Sequence, residues 1–332
     1  MALATEAVIE TRSLSKHYGR VRAVDGLDLS VPRGSLFGFL GPNGAGKSTT
    51  IRMLTGLVRP SSGEARLLGV PLGERLRVGR RVGALVETPA FYPHLTAWQN
   101  LRLLASLSGG AQEEELQGAL EGVGLREAAH RKVSTFSHGM RQRLGIAQAL
   151  VPRPELLILD EPASGLDPEG LAEVRRMLVE LQEEGITVFL SSHLLSEVEQ
   201  TCTHVAVIMN GQVIARGEVG GMLEGARPRT RFVVDDPARA LAALEGVADI
   251  DAEVIDDRTM EAAADELTSA DINEMLVKAG VRVHELTPAR RSLESFYMEA
   301  VREWQGGAAG EGRGPAPELD GGIQGSKGTG MA

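Results

Sequence analysis

The chain has 332 residues, of which 42% are hydrophobic, and its formal net charge is −10. This length favours about two domains, and the composition allows an ordinary buried core. The acidic balance argues against a nucleic-acid footprint over the whole surface, although it does not exclude a local basic patch. The single cysteine, Cys202, excludes an intrachain disulfide and suits a reducing cytosol.

Neither a targeting segment nor a membrane segment is predicted. The first residues, MALATEAVIE, lack a basic region followed by an apolar core, so we expect no signal peptide. No apolar run approaches the length of about 18 residues that a membrane helix needs. If the protein works at a membrane, another chain must span it.

Residues 5–40 have the pattern of β-structure interrupted by turns. Leu27, Leu29 and Val31 alternate with polar residues, as in a strand with one buried face. Tyr18 lies in a short polar segment between strands. An exposed tyrosine there can stack on a base, but ordinary surface packing explains it equally well.

A glycine-rich loop follows the buried apolar strand at residues 36–40 and precedes a helix predicted over 47–57. It matches the phosphate-binding pattern G-x-x-x-x-G-K-[ST]. The loop consists of Gly41, Pro42, Asn43, Gly44, Ala45, Gly46, Lys47, Ser48 and Thr49. The glycines let backbone N–H groups turn inward around anionic oxygens, and the helix start adds its positive dipole end. Lys47 can reach the β- and γ-phosphates, and the Ser48 hydroxyl can ligate Mg²⁺. A glycine-rich turn with a chance lysine is the alternative, which the flanking strand and helix disfavour.

The middle of the chain is predicted to be mostly helical. A strand over 82–86 leads to Glu87, after which Pro89 turns the chain. Helix-spaced apolar residues over 95–107 and 113–122 then make residues 90–135 a helical insert. Ser137 is a good N-cap for a further helix that reaches about Leu150.

A second group of polar residues follows a buried strand at 156–159. This continuous apolar run is typical of a strand buried on both faces of a parallel sheet, and it ends at Asp160 and Glu161. Two carboxylates at such a position are costly without a partner. We therefore predict that Asp160 serves Mg²⁺ and that Glu161 polarises an attacking water. Two acids in a solvated turn are the alternative.

His193 follows a further buried strand, predicted over 186–190, which is preceded by a helix predicted over 171–184. A histidine at the end of a strand is more often an ordinary surface residue. Ligands of open α/β sheets, however, gather at the carboxyl ends of strands, where Asp160 also lies, and this favours a functional role. An Asn210-Gly211 hairpin follows, and strand–helix alternation up to about residue 225 predicts an α/β nucleotide-binding domain.

The remaining chain is predicted to form a small α+β domain over 226–304, in the order β-α-β-β-α-β-α of a ferredoxin-like unit. Its role is open between dimer contact, regulation and plain stabilisation. The tail 305–332 is rich in glycine without apolar periodicity, so we expect it to be disordered.

Together these motifs resemble the ATP-binding subunits of ABC transporters. Residues 41–49 match the Walker A motif of that family, 156–162 its Walker B motif, 164–167 its D-loop and His193 its switch histidine. The segment FSHGMRQRLGIAQAL resembles the signature helix, and Tyr18 falls where the family carries an aromatic residue that stacks on adenine. The resemblance covers residues 5–225. It implies a P-loop NTPase of the ABC type, with an antiparallel β subdomain and a helical subdomain at about 90–150.

The resemblance also implies cofactors, partners and residue roles. ATP and Mg²⁺ would bind between two subunits, a homodimer or a pair of different ABC subunits, with Walker A of one facing Ser137, His138 and Gly139 of the other. Lys47 would hold phosphates, Ser48 and Asp160 the metal, Glu161 would be the base and His193 would contact the γ-phosphate. A polytopic membrane permease would place the chain at the cytoplasmic face of the membrane, and no nucleic-acid partner is expected.

Two departures from the family pattern stand out. Phe136, His138 and Met140 replace the usual signature residues, whereas Ser137 and Gly139 remain. The glutamine of the family's Q-loop is replaced by Glu87, whose carboxylate we predict as a further metal ligand. The alternative is that its charge repels the γ-phosphate when no metal is bound. The surrounding sequence, ETPAFYPHLTA, resembles the bacitracin-resistance branch of ABC exporters.

The leading hypothesis is therefore an ATP-hydrolysing exporter subunit that energises efflux of a drug, antibiotic or lipid-like substrate through a separate membrane subunit. The alternative is a soluble ABC ATPase that acts on ribosomes or DNA. Such proteins usually carry two nucleotide domains or long coiled coils, and the chain shows no basic stripe for phosphate backbones. A nucleotide-binding regulator without turnover is disfavoured because Glu161 and His193 are both present.

Overall fold

A computed structural model describes residues 6–107, 109–224, 229–247, 250–264, 267–289 and 292–307 of the chain. The chain divides into two compact units. The main part of the first ends at Val219, and the second covers Gly220–Met298.

The first unit contains two sheets and most of the helices. Its strands are β1 (Ala7–Tyr18), β2 (Val21–Pro32), β3 (Leu36–Leu40), β4 (Ser62–Leu67), β5 (Val70–Pro71), β6 (Val82–Leu85), β7 (Leu156–Leu159), β8 (Thr187–Ser192), β9 (His204–Met209) and β10 (Gln212–Glu218). Its α-helices are α1 (Lys47–Leu54), α2 (Ala97–Leu107), α3 (Glu113–Glu121), α4 (His138–Leu150), α5 (Pro168–Glu183) and α6 (Leu195–Thr201). Short 3-10 helices cover Leu72–Arg77, Gly79–Arg81 and Val133–Thr135.

The central six-stranded sheet has the order β10-β9-β3-β8-β7-β6. The strands from β9 to β6 pair in parallel, and β10 returns antiparallel to β9 as the predicted hairpin. Every residue of β3, β7 and β8 is buried, as expected for central strands of a sheet covered on both faces. This parallel arrangement brings the carboxyl ends of β3, β6, β7 and β8 to one edge.

An antiparallel sheet of order β2-β1-β4-β5 accompanies the central sheet. Its inward side chains share one apolar core with α1 and with the central strands, including Ile9, Phe39, Ile51, Leu67 and Phe189. The first helix is therefore held by apolar packing from both sheets, which positions the loop that precedes it.

The predicted helical insert contains α2 and α3, and α4 packs against both. Ser137 is the N-cap of α4, as predicted, and its hydroxyl accepts a hydrogen bond from the Met140 N–H.

Other predicted elements are present with shifted ends. The helix predicted over 47–57 ends at Leu54, and the helix predicted to start at 171 begins at Pro168. The earlier start has a physical cause, because the Asp167 carboxylate caps the helix by accepting a 3.0 Å hydrogen bond from the Gly170 N–H. The short helix α6 was not predicted.

The second unit begins within α7 (Val219–Glu224) and is an α+β domain, as predicted. Its further elements are β11 (Arg229–Val234), α8 (Pro237–Leu244), β12 (Ile250–Val254), β13 (Thr259–Ala264), α9 (Ser269–Lys278) and β14 (Val283–Ala289). Helix α10 (Leu293–Gly307) begins in this unit and is assigned to the first unit from Glu299 onward. The antiparallel sheet has the order β12-β13-β11-β14. Helices α8 and α9 contribute Leu244 and Leu276 to a core with Phe232 and Met260.

The predicted disordered tail lies, from residue 308 onward, outside the described residues, and α10 continues to Gly307 rather than ending before residue 305. Within the described parts of the chain, no helix combines the length and the apolar character that crossing a membrane requires.

Candidate functional site

The phosphate-loop motif lies at the carboxyl end of β3, and two of its glycines are required by close contacts. A Cβ atom on Gly41 would lie 2.4 Å from the Ile208 carbonyl oxygen, and one on Gly46 would lie 2.5 Å from the Ala23 carbonyl oxygen. Gly46 also has a φ of 112°, which L side chains rarely adopt. The loop therefore packs so closely against neighbouring backbone that a side chain does not fit at Gly41 or Gly46. Helix α1 begins directly after it, at Lys47.

The Lys47 side chain is almost entirely buried at the base of this loop, with 5% of it exposed. Its ammonium donates a 2.6 Å hydrogen bond to the Gly41 carbonyl oxygen and lies 3.3 Å from Glu161 Oε1. A buried ammonium needs such partners, because an isolated charge is costly to remove from water. Lys47 is thus folded onto the loop and paired with the carboxylate that follows β7.

Glu161 joins Lys47 to His193. His193 Nδ1 donates a 2.8 Å hydrogen bond to Glu161 Oε2, while Glu161 Oε1 faces the lysine. Glu161 has a φ of 50°, an uncommon left-handed conformation for a residue with a side chain. The three residues predicted to be catalytic come from three different elements, and the fold brings them into one chain of polar contacts.

Asp160 is held by a residue that the sequence analysis did not assign to the site. The Ser191 hydroxyl donates a 2.6 Å hydrogen bond to Asp160 Oδ1 and accepts one of 2.9 Å from the Glu161 backbone N–H. Asp160 is 6% exposed and Ser191 is completely buried. The only signal available in the sequence is that Ser191 directly precedes Ser192 and His193 at the end of a predicted strand.

The residues predicted to bind metal do not form a metal cluster by themselves. Among the residues that the structure describes, no group of three or more His, Cys, Asp or Glu side chains could hold an ion. Ser48 is half-buried in the first turn of α1, and Asp160 ends β7. A site made by these two residues needs oxygen ligands from a phosphate substrate, as is usual for Mg²⁺.

Glu87, predicted as a further metal ligand, forms an ion pair with Arg52 in the last turn of α1. Its φ of 66° is left-handed, like that of Glu161. Within the described part of the chain, no hydrogen bond or ion pair joins Glu87 to the Lys47–Glu161–His193 cluster.

The N-terminus of α4 contacts the segment 164–167. His138 Nε2 donates a 3.1 Å hydrogen bond to the Ser164 carbonyl oxygen. The next residue, Gly165, has a φ of 72°, and a Cβ atom on it would lie 3.4 Å from His138 Nε2. A Cβ atom on Gly139 would lie 3.5 Å from Leu166. Ser137, His138 and the adjoining loop are exposed, so this surface can meet another molecule.

Tyr18 lies at the end of β1 with 46% of its surface exposed. The Lys16 ammonium lies 5.0 Å from the centre of its ring, within the range of a cation–π contact. The ring remains accessible, as stacking on a base requires, but no described contact joins it to the Lys47–Glu161–His193 cluster.

Comparison with known proteins shows the family to which the chain belongs. A family model described as "ABC transporter" matches residues 24–164. The bacitracin transport ATP-binding protein BcrA of Bacillus licheniformis is 40% identical over 297 residues, which is 89% of this chain and 97% of BcrA. The lantibiotic transport ATP-binding protein SrtF of Streptococcus pyogenes is 38% identical over 214 residues, or 64% of this chain and 92% of SrtF.

Among solved structures, an ATP-binding cassette of an ABC transporter in its ADP conformation superposes with a TM-score of 0.60 at 26% identity. The match covers 66% of this chain and 95% of that one. The fold class predicted from the sequence, a P-loop NTPase of the ABC type, is therefore confirmed. The chain belongs to the ATP-binding proteins of ABC transporters, which hydrolyse ATP to drive transport.

Proposed function

We propose that this chain energises an exporter of antibiotics or related drug-like or lipid-like substrates, as one of two ABC subunits that act with a membrane permease. The observation that carries the proposal is the placement of the Glu161 carboxylate between Lys47 and His193. The names of the relatives support the substrate class, since BcrA and SrtF are described as transport proteins for bacitracin and for a lantibiotic.

Binding of ATP uses the loop between β3 and α1. The backbone N–H groups of Gly44, Gly46 and Lys47 and the positive end of α1 suit the negative charge of the phosphates. The Lys47 ammonium exchanges part of its contact with Glu161 for phosphate oxygens. Tyr18, exposed at the end of β1, stacks on the adenine ring.

Hydrolysis is an in-line attack of water on the γ-phosphate. Glu161 accepts a proton from this water, and His193, held by Glu161 through Nδ1, presents its other ring nitrogen to the γ-phosphate. Ser48 and Asp160 are the residues that would hold Mg²⁺, and Ser191 orients Asp160 for this role. When bound, Mg²⁺ neutralises phosphate charge.

The second half of the site comes from another ABC subunit, either a second copy of this chain or a related one. Ser137, His138 and Gly139 form an exposed helix start, which suits the γ-phosphate bound by the opposing subunit. The helical segment 90–150 and the loop at Glu87 face the permease, which places the chain at the cytoplasmic face of the membrane.

The test is purification of the tagged full chain from detergent-solubilised membranes of its source cells, to find whether a polytopic membrane protein co-purifies with it. The tagged chain should retain that protein in detergent, and the complex should hydrolyse ATP with Mg²⁺ and protect cells against the peptide antibiotic that it exports. The matched control is the complex with Glu161→Gln, which should assemble equally well without protecting the cells. Retention of ribosomes or salt-sensitive DNA binding, without the membrane protein, would contradict the proposal.

A further inference from the structure

Two glutamates occupy equivalent positions just beyond the ends of two neighbouring strands of the central sheet. Strands β6 and β7 pair in parallel with Leu85 opposite Leu159. Two residues beyond each of these positions lie Glu87 and Glu161, and both have left-handed backbones, with φ values of 66° and 50°. Such a conformation is uncommon for glutamate, and its occurrence at two register-equivalent positions indicates a shared constraint.

Both carboxylates pair with cations of the same helix. Glu161 meets Lys47, the first residue of α1, with 3.3 Å between Oε1 and Nζ. Glu87 meets Arg52, in the last turn of α1, through the guanidinium Nη2. Helix α1 therefore faces the two strand ends with one cation for each carboxylate.

From this paired arrangement we infer that Arg52 is a positioning residue for Glu87. Its guanidinium neutralises the carboxylate and ties the loop after β6 to the helix that carries the phosphate loop. The inference rests on the proposed function for the role of that loop in coupling. A glutamine at position 87 would offer only a neutral acceptor, whereas a carboxylate forms a charge-assisted bond with arginine.

The exposure of the two side chains limits what this pair can contribute to the stability of the domain. Arg52 is 35% exposed and Glu87 is 61% exposed. An ion pair as exposed as this adds little to the stability of the whole domain, because water screens it. Its effect is local, on the position of the Glu87 loop relative to α1. This assignment also differs from a metal-ligand role, since the carboxylate charge is already compensated by the arginine.

The experiment is a double-mutant cycle on the full chain with Arg52→Gln, Glu87→Gln and the double variant. The first readout is backbone hydrogen exchange over residues 86–92 without nucleotide. The second is kcat/KM for ATP at saturating Mg²⁺. We expect each single variant to exchange faster over residues 86–92 and to have a kcat/KM lower by about three-fold or more. In both readouts the double variant should be no more impaired than the more impaired single variant. The charge reversal Arg52→Glu with Glu87→Arg should recover much of the loss caused by Arg52→Glu alone.

The control pair is Arg77 and Glu74, an exposed arginine–glutamate pair with 2.7 Å between Nη1 and Oε2. Substituting these residues by glutamine should leave exchange over 86–92 unchanged. Additive effects in the Arg52–Glu87 cycle, or a charge reversal no better than Arg52→Glu alone, would overturn the inference. So would a shift of the Mg²⁺ midpoint by Glu87→Gln but not by Arg52→Gln, because that result indicates a metal ligand. If the chain hydrolyses no ATP, the proposed function fails. The hydrogen-exchange measurements on the same variants still decide whether the Arg52–Glu87 ion pair holds the loop.

Discussion

The Ser191 hydroxyl donates a 2.6 Å hydrogen bond to Asp160 Oδ1 and so joins the ends of two neighbouring strands, β8 and β7. The Ser191 hydroxyl oxygen also accepts a hydrogen bond from the Glu161 N–H. A single buried hydroxyl thereby holds both the carboxylate proposed for Mg²⁺ and the backbone turn that aims Glu161. Asp160 and Ser191 lie away from water, so neither lost bond can be replaced by solvent without rearrangement.

Substituting Ser191 by alanine should therefore damage both stability and turnover. The buried Asp160 oxygen and the Glu161 N–H would lose their partner, at a cost of about 1–3 kcal/mol in the free energy of unfolding. Urea unfolding and steady-state ATP hydrolysis measure the two effects. The control is Ser192→Ala, which removes a hydrogen bond from the Leu194 N–H. Equal turnover in both variants would contradict a positioning role for Ser191.

The sequence predicted the phosphate loop, the buried strands and the residues at their ends because these signals are local. Apolar runs flanked by Gly41, Asp160 and His193 indicate which strand ends meet at one sheet edge. The link from Ser191 to Asp160 was not predictable in the same way. It depends on the register between β7 and β8, which places Leu159 opposite Leu190 and which no pattern in a single strand specifies.

The ion pair of Glu87 was not predictable from the sequence either. The sequence shows the unusual carboxylate at this position, and its metal role stays a prediction. The ion pair with Arg52 spans 35 positions and depends on how α1 lies against the end of β6. By contrast, the caps at Ser137 and Asp167 involve neighbours within three residues, but only the cap at Ser137 was predicted.

Substituting His138 should separate ATP binding from turnover. Its Nε2 donates to the Ser164 carbonyl and so ties the start of α4 to the segment that follows Glu161. His138→Gly removes this donor, whereas His138→Gln places an amide N–H at a similar reach. We expect turnover to fall about 2–10-fold in the glycine variant, with smaller loss in the glutamine variant and little change in ATP affinity. Equal turnover in the two variants would show that the hydrogen bond does not matter.

A pH-dependent prediction concerns Glu155, at the opposite end of the sheet, just before β7. Hydrogen bonds from Arg81 and then from Arg33 lower the pKa of this carboxyl to about 2, against partial burial that acts in the other direction. Because the folded-state pKa is depressed, the stabilisation is present above the ordinary glutamate pKa of about 4.3 and is lost as the pH falls towards 2. The side chain is 42% exposed, so solvent screening limits the effect to about 1 kcal/mol.

The measurement is the free energy of unfolding of the wild type and of Glu155→Gln at about pH 6 and about pH 3. The variant should be less stable at the higher pH, and the difference should shrink at the lower pH. Glu121→Gln is the control, because it removes an arginine–glutamate ion pair whose side chains are more exposed, at 54% for Glu121 and 62% for Arg126. A difference between wild type and Glu155→Gln that does not change with pH would contradict the ion-pair explanation.

The last prediction concerns the base itself. Glu161→Gln keeps the shape of the side chain and an oxygen near Lys47 but removes the negative charge and the proton acceptor. Turnover should fall by about 10²–10⁴-fold, the usual contribution of general base catalysis. ATP binding should persist, and because the neutral amide no longer competes with phosphate for the Lys47 ammonium, it should become tighter.

The assay combines ATP hydrolysis with size-exclusion chromatography in the presence of ATP. Since bound ATP is no longer consumed, the variant should accumulate as an ATP-bound dimer that the wild type forms only transiently. Lys47→Met is the matched control, because removing the ammonium should abolish binding and the dimer together. If Glu161→Gln hydrolyses ATP at the wild-type rate, Glu161 is not the base. The 2.8 Å hydrogen bond between His193 Nδ1 and Glu161 Oε2 would then have no role in orienting His193 for catalysis.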